Sequence, residues 1–156
     1  MSEPTRLTVM RRLTEEIAER AGLAGAVFRG RDYFGPENGD PIPMITIFED
    51  ISFTEDYPEQ TRGGEVSLVR LRLLVVGFDD EDTLNPTDPA MLLMYRVIDA
   101  LKAVKADGAK RHAHYLDHPA MDDIQIGRGN VYPANADGVS PVAFFRLPLA
   151  LTYVES

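Results

Sequence analysis

Between residues 143 and 153 every second side chain is apolar: Ala143, Phe145, Leu147, Leu149, Leu151 and Tyr153. Only an extended strand puts alternate residues on one face, so the stretch Val142 to Glu155 reads as a strand with that face turned inward. Pro148 falls in the other set and removes a backbone donor, which predicts an edge position or a local break. Glu65 to Phe78 reads as a second long strand, with Val69, Leu71, Leu73 and Val75 on one face. On its other face Arg70 and Arg72 give way to Leu74, Val76 and Phe78, so this strand should start half exposed and end buried on both sides.

Two amphipathic helices accompany these strands. From Thr5 to Ala21, Leu7, Met10, Leu13, Ile17 and Ala21 recur at spacings of three and four, opposite Arg11, Glu15 and Glu19. Pro4 precedes this helix and Gly22 can end it. A second helix is expected from Pro89 to about Lys105, with Asp88 as N-cap and Gly108 at the C-terminal cap. Met91, Leu92, Leu93, Met94, Tyr95, Val97, Ile98 and Leu101 give it a wide apolar face, suited to lying flat on a sheet. Further strand candidates are Ala24 to Arg29, Met44 to Phe48 and a segment near Asp123 to Tyr132. Gly30 to Pro41, Ala109 to Met121 and Asn135 to Ser140 read as loop, connection and turn. The expected fold is a single α+β domain over residues 1–156. Its mixed, mostly antiparallel sheet has about four or five strands, with both helices packed on one face. Ser52 to Gly64, which is not periodic and contains Tyr57, Pro58, Gly63 and Gly64, reads as an exposed arm or a long hairpin connection.

With 156 residues the chain can bury a substantial core without staples. Its formal charge of −9 disfavours specific binding to nucleic acid or anionic lipid, although an acidic wall suits a passage along which DNA slides without sticking. The absence of cysteine excludes disulfides, thiolate metal sites and cysteine nucleophiles. The start of the chain lacks the pattern of a secretory signal, and no apolar run reaches the roughly 20 residues that span a bilayer. These features lead to the expectation of a protein made in a cytoplasm with no membrane partner.

Reactive constellations are scarce. Gly127-Arg128-Gly129 lacks the third glycine and the following helix of a nucleotide-binding loop, so a bulge or turn is the simpler use of those glycines. The histidines cluster as His112, His114 and His118 with Asp117 beside them, the one set of candidate metal ligands, but without an HExxH spacing. Asp79, Asp80, Glu81 and Asp82 lack the alternating ligands and glycine of a calcium loop and suit a solvated loop before a helix N-terminus. None of the five serines sits in a nucleophile elbow. No catalytic residue and no cofactor is expected. Candidate interface residues are Phe53, Tyr57 and Arg62 in the arm, whose residue types are frequent at interfaces, and Arg70, Arg72 and Arg146 on strands. The run Asp79 to Asp82 could supply opposite charge from a neighbouring copy.

The order of these elements resembles the tail-terminator (minor tail, tail-completion) family of long-tailed bacteriophages and prophages. The likeness rests on the first amphipathic helix, the strand ending in "VVGF", the acidic proline-containing loop, the helix "DPAMLLMYRVIDALKAV" and the strand "VAFFRLPLALTYVES". It spans nearly the whole chain as a pattern and carries no invariant motif. It implies a structural, non-catalytic subunit that assembles as a hexameric ring on the tail tube and stops its polymerisation. In that setting the partners are other copies of the chain, the tail-tube protein and the head-completion connector, with DNA passing through the ring. The resemblance places such a subunit at the head-proximal end of the virion tail. Head-closure and neck connector subunits are the nearest alternative, and a small metal-binding protein or enzyme using the His112 to His118 cluster is the rival from another class.

Overall fold

The computed structural model describes residues 3–30, 39, 41–49, 60–62, 66–79, 84–110, 115–134 and 142–155. In chain order these form helix α1 (Thr5–Arg20) and strands β1 (Val27–Arg29), β2 (Met44–Glu49), β3 (Gln60–Arg62) and β4 (Val66–Asp79). Helix α2 (Asp88–Lys110), a 3-10 turn (Tyr115–Asp117) and strands β5 (Met121–Ile126), β6 (Asn130–Tyr132) and β7 (Ala143–Glu155) follow. The sheet runs β1-β2-β4-β7-β5, with short β3 added beside β4 and β6 beside β7. β1 pairs parallel to β2, and the other pairings are antiparallel. This is the expected α+β architecture with a mixed, mostly antiparallel sheet.

β4 and β7 form its spine, paired from Ser67 opposite Glu155 to Asp79 opposite Ala143. The alternation sets the packing. The odd-numbered residues of β7 from Ala143 to Tyr153 are all buried, and Leu71, Leu73 and Val75 of β4 join them on the same face. Both helices cover that face: Val9, Met10, Leu13 and Ile17 of α1 share one core cluster with Leu93, Val97, Leu101 and Val104 of α2.

α1 starts where Pro4, held at φ −58° and ψ 139°, accepts the first helical bond from the Thr8 N–H at 3.1 Å. It stops at Gly22, whose φ of +68° is left-handed and free of strain for glycine alone. The helix end is tied to α2 twice. The Arg96 guanidinium donates to the Ala21 carbonyl at 2.5 Å, and Arg20 bridges Glu16 and Asp107.

Several expectations need correction. α2 runs on to Lys110, so Gly108 does not end it. That glycine is buried inside the helix, where an added Cβ would strike the Tyr115 ring. The first helical bond runs from the Met91 N–H to the Thr87 carbonyl, which moves the cap one residue ahead of Asp88. The wide apolar face of α2 is narrower than its composition suggests: Leu93, Met94 and Val97 are buried, but Met91, Leu92 and Tyr95 are exposed. The single strand expected from Asp123 to Tyr132 is two strands parted at Gly127-Arg128-Gly129. There the Gly127 N–H donates to the Pro148 carbonyl at 2.8 Å.

Pro148 therefore lies on an interior strand, not at an edge, and its missing donor coincides with a break. In extended backbone the N–H and C=O of one residue point the same way. The vacant donor position thus faces the gap where β5 ends and β6 begins. Of the expected arm, Gln60–Arg62 is a strand antiparallel to Val66–Leu68. Residues 52–59 and 63–64 lie outside the described residues, as do most of the expected loop from Gly30 to Pro41 and the turn from Asn135 to Ser140.

Candidate functional site

The second face of the sheet changes character along its length. At one end Met44, Val76, Phe78 and Phe144 form a separate buried cluster. Phe144 stacks on Tyr132 with centroids 5.1 Å apart and meets Phe78 at 6.1 Å. Arg146 lies over this pair, its guanidinium carbon 5.3 Å from the Tyr132 centroid and 5.6 Å from that of Phe144. Its charge faces π-electron density rather than solvent alone.

Toward the other end the same face becomes a groove of about 370 Å³ edged by Arg70 and Arg72 of β4, Pro148 and Ala150 of β7, Gln125 of β5 and Gly127 just beyond it. Register explains the meeting. Arg70 pairs with Thr152 and Arg72 with Ala150, while Ala150 pairs on its other side with Gln125. The small Ala150 leaves room for Arg70 to reach across β7, where its Nη2 donates to Gln125 Oε1 at 2.6 Å. The neighbouring Nε–H of Arg70 is buried and has no acceptor. A buried donor left without a partner costs about 1–3 kcal/mol, so this half-filled guanidinium fork is the least satisfied polar feature of the described residues.

The sequence-predicted interface residues separate accordingly. Arg70 and Arg72 share the groove, whereas Arg146 lies four residues from Ala150 along β7, about 13 Å away, and is engaged by aromatic rings. Asp79 is the last residue of β4. The backbone of Arg62 lies in β3; Phe53, Tyr57, Asp80, Glu81 and Asp82 lie outside the described residues. Gln125 was not foreseen, and neither was the exposure of Met91, Leu92 and Tyr95 at the start of α2 and of Leu84 in the segment before it. There Leu92 is 68% and Leu84 86% exposed. Met91, Leu92 and Tyr95 share one helical stripe by their spacing.

Of the histidine cluster, His112 and His114 lie outside the described residues. His118 follows the 3-10 turn, and its Nδ1 accepts the Ala120 N–H at 3.0 Å, which occupies one of its two potential ligand atoms. Burial, then the nearby Arg12 charge, holds its pKa below the ordinary histidine value. Arg12 donates to the carbonyls of Leu116 and Asp117. It thereby pins a turn in which Leu116 takes φ 54° to bury its side chain. Among the described residues no group of three or more His, Asp or Glu side chains could hold a metal ion.

A larger cleft, about 530 Å³, opens between the start of α1 and the ends of β1 and β2. Arg6 and Glu49 pair across it as a fork, Nε to Oε1 at 2.9 Å and Nη2 to Oε2 at 2.6 Å. Behind them Tyr153 is fully buried, and its hydroxyl is pushed up to about 12, first by burial and next by the Glu155 carboxylate. A phenol so poised holds its proton at neutral pH and is a weak proton-transfer group. The pairing of Arg6 with Glu49 reads as a latch between helix and sheet.

No helix among the described residues is long and apolar enough to cross a membrane. Comparison with protein-family models and with curated proteins finds no match to this chain.

Proposed function

We propose that this chain is the structural subunit that ends a phage-like tail tube: copies form a ring, of six as the resemblance implies, that stops tube growth and offers its far side to the head connector. The reading is supported most by the exposed apolar stripe Met91, Leu92 and Tyr95. Side chains of this kind grouped on one helix end are a surface that association would bury. Among the described residues β1 and β5 are the two ends of the main strand order, and ring subunits meet through two different flanks. The acidic balance of the chain suits a ring through which DNA moves.

Electron microscopy of particles assembled without this chain tests the proposal. Tails should grow past their normal length and fail to join heads. Tails of normal length that fail only to join heads would instead favour the neck connector, and normal, joined particles would refute both.

A further inference from the structure

We infer that neighbouring copies of this chain join by one contact, in which the apolar stripe Met91, Leu92 and Tyr95 of one copy fills the cleft between α1, β1 and β2 of the next. The inference rests on the ring reading above and names the two surfaces that meet.

The first ground is what the two surfaces leave open. Five large apolar side chains are exposed among the described residues, and four of them lie here: Met91, Leu92 and Tyr95 on the stripe and Leu7 at the cleft. Water contact at such groups is unfavourable, and one association removes it from both surfaces together. Met10, Ile47 and Phe48 continue the apolar lining inward from Leu7. Size agrees. A cavity of about 150 Å³ accepts a benzene-sized group. The cleft, at about 530 Å³, therefore has room for the three side chains of the stripe.

The second ground is charge. Arg6 and Glu49 neutralise each other across the cleft, which leaves Arg29 on its rim with no ion-pair partner among the described residues. On α2 the spacings of four, three and four put Asp88, Leu92, Tyr95 and Asp99 on one stripe, with a carboxylate at each end. Both of these aspartates are exposed and likewise lack an ion-pair partner among the described residues. A docked stripe brings one of them to Arg29 at the polar rim of an apolar contact.

The third ground is geometry. Arg20 reaches Asp107 and Arg12 reaches the turn after α2, so α1 runs antiparallel to α2. The cleft therefore lies at the end of the helix layer opposite the stripe. Leu7 stands about 21 Å along α1 from Ala21, whose carbonyl meets Arg96 beside the stripe. A chain cannot fill its own cleft with its own stripe. Unlike surfaces at opposite ends join copies head to tail, the arrangement that closes rings.

The chain contains no cysteine, so introduced thiols report this contact alone. For the test, Leu7→Cys and Leu92→Cys, both at exposed positions, are combined in one full-length chain and oxidised at high protein concentration. The double variant should give a ladder of disulfide-linked oligomers, whereas each single variant should stay almost wholly monomeric. Distance excludes an internal disulfide, since bridged Cα atoms lie within about 7 Å of each other. Arg29→Glu in the double variant should cut the ladder about fivefold, and adding Asp88→Lys with Asp99→Lys should restore it. The inference is overturned if the double variant, folded by circular dichroism, gives no ladder, or if Arg29→Glu leaves the ladder unchanged. It is equally overturned if Leu92→Cys alone gives as much cross-linked dimer as the double variant, because stripe then meets stripe. Such results leave the ring reading standing, because tail length decides that separately.

Discussion

The two faces of the sheet share the same strands yet do opposite things. On the helix-covered face the odd-numbered positions of β7 are all apolar and all buried, and two helices seal them. On the other face the even-numbered positions pass from Phe144 through Arg146 and Pro148 to Ala150, and those of β4 from Phe78 back to Arg70. That face keeps a buried aromatic end and a grooved end where the Arg70 Nε–H has no acceptor. The difference teaches where to look for stability, which should reside in the sealed face.

Truncation should separate them most strongly. Phe145→Ala, in the sealed core, should lower the unfolding free energy by about 3–5 kcal/mol in denaturant titrations. Arg146→Ala, one residue along and on the other face, should cost about 0.5–1 kcal/mol through its lost ring contacts. Equal losses would erase the distinction.

Adding atoms to the sealed face should come next. A Cβ at Gly77 would overlap the Phe145 ring and Ile45 Cδ1, so Gly77→Ala should destabilise by about 1–3 kcal/mol. Gly108→Ala sharpens the point because two effects compete. Helix propensity favours alanine by about 1 kcal/mol, and overlap with Tyr115 opposes it by about 1–3 kcal/mol. A net loss is expected, and a gain in thermal stability would show that Tyr115 moves aside readily.

The exposed stripe of α2 should respond differently again. Leu92→Ser should change stability by no more than about 0.5 kcal/mol, since the side chain is already largely in water. Its effect should appear as weaker self-association in sedimentation or light scattering at high concentration.

The smallest effect concerns pH. Because the folded chain holds the His118 pKa below its unfolded value, the unfolded chain binds a proton first as pH falls. The stability associated with His118 is therefore fully present above about 6.5 and declines as pH drops from there toward the lowered folded value. His118→Gln should flatten that part of the stability profile, and an unchanged slope would place its origin elsewhere.

Much of this was legible in the sequence because period is a local property. β4, β7 and both helices follow from spacing alone, and even the passage of β4 from half exposed to buried was visible in Arg70, Arg72, Leu74, Val76 and Phe78. What was hidden depends on distant partners. Gly108 resembles a helix stop until Tyr115 is seen against it, and Gly127 and Gly129 resemble a turn until β7 is seen passing close by. The exposure of Leu92 and Tyr95 follows from how α2 sits on the sheet, which composition does not record. Of the candidate site, the arginines could be named in advance. Gln125 could not, since its place depends on the pairing of β5 with β7 and on the register shift between Met121 and Asp123.

The most direct measurement adds the purified chain to tail-tube subunits that are polymerising and follows tube length by electron microscopy, with the chain labelled. The account predicts that tubes stop lengthening and carry the label as a ring at one end. Tubes that keep growing, with the label absent or scattered along their sides, would contradict it.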